Sequence, residues 1–335
     1  MDHNISILKK QLNHPKRIVI ITHVKPDGDA LGTSLALAFF LKQQGHVVQV
    51  VIPTEHPNFL SWLPGADAVI NREDFTEETL LEQVGRIDLL FCVDCSTVKR
   101  LGQLKFLVER SDLFKVIIDH HIEPEDFADL LFWNVKAAAS AEILFSLFEA
   151  LGQVDSMHLD MATCLYVGLI TDTNSFKNSN TTPKTHYIAA KLIACGVDIV
   201  TTHRLIYDNK SLNRLHFFSF AISQRLVVLP EFHAAYFVIQ KEDYKRYDLQ
   251  MGDTEGLVDY ALTLRGILLG AVLKEKDDAI DLSLRSVGDI PANLIAKKYF
   301  HGGGHRNAAG GFSKLSLTET VDLFEKILKN TELQH

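Results

Sequence analysis

Short apolar segments rich in β-branched residues alternate with helical segments through the first 200 residues, and this alternation constrains the fold more than any other feature. Strands are predicted at residues 17–23, 47–52, 87–94, 115–119 and 131–135. Helices are predicted at residues 29–44, 140–151 and 158–170, and a further helix opens at Thr182-Pro183. Because continuous β-branched strands are typical of sheets covered on both faces, the pattern predicts an α/β domain with a mostly parallel sheet and flanking helices.

A different pattern begins near residue 225 and predicts a second, smaller domain. Hairpins are predicted at residues 225–240 and 267–286, with helices near 254–263, 291–299 and 316–329. At 335 residues the chain is also long for one domain. We therefore expect an N-terminal domain at residues 1–205, a connecting helix at 206–225 and a mixed α+β domain at 226–335.

Net charge and apolar runs argue against two classes of protein. A net charge of −8 disfavours sequence-independent binding of long nucleic acid, including long duplex DNA, which requires a broad basic surface. The longest apolar run, residues 35–41, is too short to span a bilayer, and residues 1–17 lack the apolar core of a secretory signal. All four cysteines lie in apolar segments, so we expect a reduced cytoplasmic location and no membrane association.

Acids and imidazoles stand where several predicted elements end. Asp119-His120-His121 closes the run 115–119, Asp94 closes the strand 87–94, and Asp172 follows an apolar helix. A further block follows the first strand and contributes His23, Asp27 and Asp29. Taken singly, the block with His23 is explained equally well by an N-cap, and Asp94 is better explained by a turn at the end of a strand. Because open α/β sheets place their chemistry at strand ends, the four blocks jointly predict two metal ions and phosphate ester hydrolysis.

A glycine run in the second part of the chain predicts an anion-binding loop. Gly302-Gly303-Gly304 is followed by His305 and Arg306. Consecutive glycines let backbone N–H groups approach a ligand closely, and the two side chains add donors. A flexible linker is the alternative, but such linkers seldom follow a helix directly and end in His-Arg.

Together the five blocks resemble the DHH family of phosphoesterases with its DHH-associated C-terminal domain, over about residues 15–330. The NrnA-like oligoribonucleases, which also act as 3'-phosphoadenosine 5'-phosphate (PAP) phosphatases, are the most similar subgroup. The resemblance implies an active site in the cleft between the two domains. It also implies two Mn2+ ions, with Mg2+ as the alternative.

The resemblance assigns the metal ligands position by position. One ion would be bound by His23, Asp27 and Asp94, and the other by Asp29, Asp94, His120 and Asp172. Asp94 would bridge the ions, and it and His121 are the expected catalytic residues. His121 would face the substrate phosphate or the leaving oxygen, while Asp119 would orient an imidazole.

Substrate binding is expected to fall to the second domain. The resemblance implies contacts from Arg285, Ser286, Gly303, Gly304, His305 and Arg306. Three positions depart from the family pattern: Asn174 and Ala141 replace residues common there, and His301 stands where the glycine run usually starts. None of the three is an expected metal ligand, so the departures bear on substrate preference and leave the reaction class intact.

The resulting expectation is a hydrolase of short oligoribonucleotides, PAP or both, acting through a hydroxide activated by two metals. Alternatives are a cyclic or linear dinucleotide phosphodiesterase, an inorganic pyrophosphatase and a non-catalytic nucleotide sensor. A RecJ-type exonuclease is disfavoured because the chain has no room for the extra nucleic-acid-binding domains. Short RNA or nucleotides are the expected partners, and a homodimer is left open.

Overall fold

The computed structural model describes residues 2–250 and 252–330. The chain divides into two compact units, Met1–Asn209 and Lys210–His335. Each unit contains one six-stranded sheet covered by helices. Among the described residues, no helix combines the length and the apolar character needed to cross a bilayer.

The first unit is built on an all-parallel sheet, which confirms the predicted fold class. Its strands are β1 (Arg17–Ile21), β2 (Val47–Ile52), β3 (Ile70–Asn71), β4 (Leu89–Val93), β5 (Phe114–Asp119) and β6 (Leu130–Trp133). The strand order is β3-β2-β1-β4-β5-β6, so the order reverses between β1 and β4. In open α/β sheets this switch point opens a crevice at the carboxyl ends of the strands, where ligands bind.

Eight α-helices flank this sheet in the described part of the unit: α1 (Asp2–Gln11), α2 (Gly28–Gln43), α3 (Glu77–Val84), α4 (Lys105–Glu109), α5 (Ser140–Leu151), α6 (Leu159–Asp172), α7 (Pro183–Ala194) and α8 (Ile199–Tyr207). Alternate residues of β1 face opposite layers. Ile18 and Ile20 join the core under α2, α5 and α6, whereas Val19 and Ile21 join the core under α3 and α4. This two-sided burial explains the continuous apolar strands of the sequence.

Helices α2 and α6 cross at two glycines. A Cβ atom added to Gly32 would collide with the Cys164 carbonyl oxygen, and one added to Gly168 would lie 2.7 Å from Oδ1 of Asp29. The small residues therefore permit a close approach of the two helices. That approach brings Asp29, near the start of α2, towards the end of α6, where Asp172 is the last residue.

The second unit contains a mixed sheet of order β11-β12-β10-β9-β8-β7. Its strands are β7 (Leu226–Leu229), β8 (Ala234–Ile239), β9 (Leu269–Glu275), β10 (Ile280–Ser286), β11 (Gly303–His305) and β12 (Ala308–Ser313). Its helices are α9 (Leu212–Gln224), α10 (Lys241–Arg246), α11 (Leu257–Leu262), α12 (Ala292–Tyr299) and α13 (Leu317–Asn330). Phe300 and Phe324 anchor the core on one face of the sheet, and Phe217 and Phe237 anchor the core on the other.

Part of the glycine run forms one strand of a hairpin, and anion binding there stays a prediction. Gly303 and Gly304 pair with Gly310 and Ala309 across β11 and β12. A Cβ atom at Gly302 would collide with the Gly310 carbonyl oxygen, whereas one at Gly303 would meet open space. Close backbone packing therefore explains part of this run without a ligand.

Candidate metal centre

The strand ends and the end of α6 bring the expected metal ligands together in two groups. His23, Asp27 and Asp94 present ligand atoms that all lie within 4.8 Å of one another. Ligand atoms of Asp29, His120 and Asp172 satisfy the same condition. With the exception of the more exposed Asp27 and Asp172, these side chains are buried.

The imidazoles of His23 and His120 are oriented by backbone carbonyls. Nδ1 of His23 lies 2.8 Å from the Val24 oxygen, and Nδ1 of His120 lies 3.1 Å from the Ala137 oxygen. Because a carbonyl only accepts hydrogen bonds, each Nδ1 carries a proton and donates it. The Nε2 atoms therefore face the carboxylates: 3.2 Å from Asp94 for His23 and 3.1 Å from Asp172 for His120.

A neutral imidazole would direct its Nε2 lone pair at these carboxylate oxygens, which is a repulsive arrangement. A positive charge, either a proton or a metal ion, must therefore lie between them. Burial lowers the pKa of His120, but the hydrogen bond to Asp172 and the surrounding carboxylates outweigh it and raise that pKa to about 11. Burial likewise lowers the pKa of His23, and the hydrogen bond to Asp94 raises it above the ordinary value.

The close spacing of the carboxylates is a second indication that the cluster requires additional positive charge. Burial, followed by the charges of Asp94 and Asp172, raises the pKa of Asp29 well above its usual range. Carboxylates and imidazoles are also the donors that Mn2+ accepts in proteins. The residues present therefore fit divalent cations, which would supply the missing positive charge.

Asp29 is fully buried and is held by the first turn of α5. Its Oδ2 accepts from the Ser140 N–H at 2.6 Å, and its Oδ1 accepts from the Ala141 N–H at 3.0 Å and the Thr33 hydroxyl at 2.8 Å. A helix N-terminus stabilises an anion through such N–H groups. These contacts fix the carboxylate against rotation.

Asp94 occupies the middle of the cluster, as a bridging ligand would. Its backbone is left-handed, with φ of 56°, and its Oδ1 accepts from the Ser140 hydroxyl at 2.7 Å. Oδ1 is also 3.6 Å from Nε2 of His120, while Oδ2 faces His23. Burial raises the pKa of Asp94, but the charges of His121 and His23 and the His23 hydrogen bond outweigh burial and lower it.

Asp27 is the N-cap of α2, and this does not exclude the metal binding that the sequence left as the alternative. Its Oδ1 caps α2 by accepting from the N–H groups of Asp29 and Ala30, each at 3.0 Å. The cap uses one oxygen only, so the other can bind a cation beside His23 and Asp94. The N-cap and the metal ligand are therefore compatible.

Asp119 orients the histidines that follow it. Its Oδ1 accepts from the backbone N–H of His120 at 2.8 Å and lies 2.7 Å from Nδ1 of His121. Burial raises the pKa of Asp119, but the His121 hydrogen bond outweighs burial and lowers it. Since Nδ1 of His121 donates to this carboxylate, any proton exchange by this imidazole would take place at Nε2.

The backbone segment 137–141 organises this centre, and its role was not predicted. Its carbonyl at Ala137 orients His120, its N–H groups bind Asp29, and the Ser140 hydroxyl binds Asp94. Most of these contacts are made by backbone atoms, which every residue type supplies, so they cannot be recognised from the sequence. Ser140 is the exception, since a hydroxyl at a helix start is visible in the sequence.

A left-handed turn follows Asp172. Asn174, Ser175 and Phe176 have φ values of 46°, 57° and 65°. Asn adopts this conformation more readily than most residues, which explains how it can stand where the family pattern has glycine. The Asn178 amide donates to the Asp172 carbonyl at 2.9 Å and fixes the turn.

The expected substrate contacts all lie in the second unit. Arg285 is half-buried on β10, and the Ser286 hydroxyl donates to the Ile290 carbonyl and accepts from Asn307. Arg306 forms an ion pair with Asp289 at 2.9 Å. The remaining expected contacts are on β11: Gly303, Gly304 and His305. Their participation in binding, and the location of the site between the domains, stay predictions.

Comparison with known proteins agrees with the geometry. The sequence profile of the DHH family, N-terminal domain, matches residues 17–169, and that of the DHHA1 domain matches residues 232–330. The chain belongs to the DHH family of phosphoesterases, which are hydrolases of phosphoester bonds.

Curated relatives that carry the name bifunctional oligoribonuclease and PAP phosphatase NrnA include proteins from Thermus thermophilus and Bacillus subtilis. The one from Thermus thermophilus is 30% identical over 324 residues, covering 93% of this chain and 88% of the relative. The one from Bacillus subtilis is 28% identical over 295 residues, covering 88% of each chain. A crystal structure of an exopolyphosphatase-related protein from Bacteroides fragilis is 31% identical, with a TM-score of 0.93, and covers 98% of this chain and 96% of that one.

Proposed function

We propose that this protein hydrolyses short oligoribonucleotides and PAP. One observation supports the proposal above all: two imidazole Nε2 atoms and several carboxylates converge on common points at the switch point of the sheet. Such convergence provides for divalent cations and not for a serine or cysteine nucleophile. The names of the two NrnA relatives supply the substrate class.

The cluster would hold two ions, with Mn2+ favoured over Mg2+ because imidazole suits Mn2+ better than Mg2+. Six residues would bind them: His23, Asp27, Asp29, Asp94, His120 and Asp172. When bound, the ions would polarise the phosphoryl oxygens and lower the pKa of a water molecule. The protein would orient the ligands for these ions. The Val24 carbonyl orients His23, and segment 137–141 orients His120 and Asp29.

His121 would act on the substrate directly. With Nδ1 held by Asp119, its Nε2 would contact a phosphoryl oxygen or deliver a proton to the leaving sugar oxygen. The Asp119 carboxylate would stabilise the imidazolium that this transfer requires. Catalytic work is thus divided between Asp94, at the centre of the cluster, and His121 at its more exposed edge, where 20% of the side chain is accessible.

Selection of short substrates would fall to the second unit. Arg285 and His305 would contact a substrate phosphate, with Ser286, Gly303, Gly304 and Arg306 around them. Arg306 would have to leave Asp289, an exposed partner whose loss costs little. The small size of the unit and the net charge of −8 favour a short ligand over long nucleic acid.

A competition assay tests the proposal. Equal amounts of the dinucleotide pApA, a longer oligoribonucleotide, PAP, a cyclic dinucleotide and pyrophosphate are offered together with Mn2+, and products are quantified by mass spectrometry. We expect pApA and PAP to be consumed first, and Asp94→Asn to abolish both reactions. Preference for the cyclic dinucleotide or pyrophosphate would replace the proposed substrate class, and Mn2+ binding without any turnover would indicate a sensor.

A further inference from the structure

Arg100 lies beside the loop that carries His23. It is part of the 3-10 helix Val98–Leu104, which follows β4 and Asp94. The Arg100 carbonyl accepts from the Val24 N–H at 2.8 Å, and the Val24 carbonyl accepts from Nδ1 of His23 at 2.8 Å. Two consecutive hydrogen bonds therefore connect the backbone of Arg100 to a ligand of the metal centre.

The segment around Arg100 is fixed from a second side. The Glu125 carboxylate accepts from the Val98 N–H at 3.1 Å, and the Glu125 N–H donates to the Ser96 carbonyl at 2.8 Å. Gly102, with φ of 54°, packs directly against the Val24 side chain. The Arg100 side chain thus starts from a defined position next to the cluster.

The guanidinium of Arg100 faces no counter-ion among the residues that the structure describes. Within the part of the chain that the structure describes, no side chain forms a hydrogen bond or an ion pair with it, and the residue is partly exposed. Burial lowers the pKa of His23, the Asp94 hydrogen bond raises it, and the charge of Arg100 lowers it again. The charge of Arg100 therefore acts on the His23 side of the cluster, where its backbone carbonyl is hydrogen-bonded to Val24.

Once metal ions neutralise the carboxylates of the cluster, the charge of Arg100 would have no anion beside it, and a substrate phosphate would supply one. We propose that Arg100 binds a phosphate group of the substrate at the His23 side of the centre. A planar guanidinium can donate two parallel hydrogen bonds to two oxygens of one phosphate, which an ammonium group cannot. This inference rests on the proposed function and names a contact within it.

The test compares Arg100→Ala and Arg100→Lys with Lys99→Ala, which removes an exposed charge from the adjacent position. With Mn2+ and either pApA or ApA, Arg100→Ala should lower kcat/KM by about 10–100-fold, and Arg100→Lys should retain part of the activity. Lys99→Ala should stay within about twofold of the parent. Equal losses on both dinucleotides assign Arg100 to the scissile phosphate, and a loss confined to pApA assigns it to the 5'-phosphate.

Metal affinity separates binding from a structural role. Because Arg100 repels cations, Arg100→Ala should bind Mn2+ as tightly as the parent or more tightly, while inorganic phosphate binds the Mn2+-loaded variant less tightly. A parallel loss of Mn2+ affinity and activity would show that Arg100 only supports the fold, and unchanged kcat/KM would also overturn the proposal. If the parent hydrolyses none of these substrates, the proposed function fails, whereas phosphate binding still tests Arg100.

Discussion

Gly168→Ala tests whether the crossing of α2 and α6 holds Asp29 in place. The added methyl group would lie 2.7 Å from Oδ1 of Asp29 and 2.9 Å from Cβ of Ala141. Ordinary contact between such atoms is at about 3.5 Å. The distance from the methyl group to Oδ1 must therefore increase by roughly 0.8 Å, either by movement of the Asp29 carboxylate or by separation of the two helices. Either movement breaks the contacts of Asp29 with the first turn of α5.

Stability and activity should respond differently to this change. Overpacking costs about 1–3 kcal/mol, while Ala in place of Gly within a helix returns about 1 kcal/mol. The net loss of about 0–2 kcal/mol should lower Tm by no more than roughly 8 °C. Displacement of a metal ligand by a fraction of an ångström, in contrast, should lower kcat about 100-fold.

The assay is dinucleotide hydrolysis at saturating Mn2+, with Tm and Mn2+ affinity measured on the same preparations. The double variant Gly168→Ala with Ala141→Gly removes one of the two steric overlaps and should regain part of the lost activity. If Gly168→Ala keeps the kcat and the Mn2+ affinity of the parent, the close approach of α2 and α6 does not position Asp29.

Three further predictions concern the centre itself. His121→Asn should keep its Mn2+ content but lose about 100–10,000-fold in kcat, and a matching loss of metal would contradict its assignment to the substrate. Ser140→Ala removes the hydroxyl held by Asp94 and should weaken Mn2+ binding about 10–100-fold, as measured by calorimetry. Because the pKa values of His23 and His120 are raised, these imidazoles keep their protons to higher pH, and Mn2+ must displace them. Mn2+ affinity should therefore rise with pH, with proton release visible in buffers of different ionisation enthalpy, and pH-independent affinity would count against both ligands.

Residue pattern was sufficient to predict the sheet and the residues at its edge. Continuous apolar runs predict strands such as β1 and β4. An acid or imidazole close to the end of such a strand is energetically costly unless it is solvated or bound to a partner. His23 and Asp94 can therefore be recognised from the sequence. Some short or polar elements have no such apolar pattern and were not predicted. Helix α3 depends on a reciprocal Thr76–Thr79 cap, and β3 has only two residues.

What the sequence could not provide is the orientation of the cluster. The proton position on His120 depends on the Ala137 carbonyl, a backbone atom that any residue would supply. The arrangement of Asp29 depends on N–H groups at Ser140 and Ala141, more than a hundred residues away. The glycine run has a second explanation that the sequence did not suggest, since Gly302 packs closely against the backbone of Gly310 in β12.

Titration of metal-free protein with Mn2+ shows whether the cluster around Asp94 is a catalytic centre for two metal ions. Protein stripped with a chelator is titrated while bound metal and pApA hydrolysis are measured together, beside Asp94→Asn as the control. We expect no hydrolysis without metal, activity that appears as two Mn2+ ions bind per chain, and neither event in Asp94→Asn. Full hydrolysis by the stripped protein, or undiminished Mn2+ binding and turnover in Asp94→Asn, would contradict this expectation.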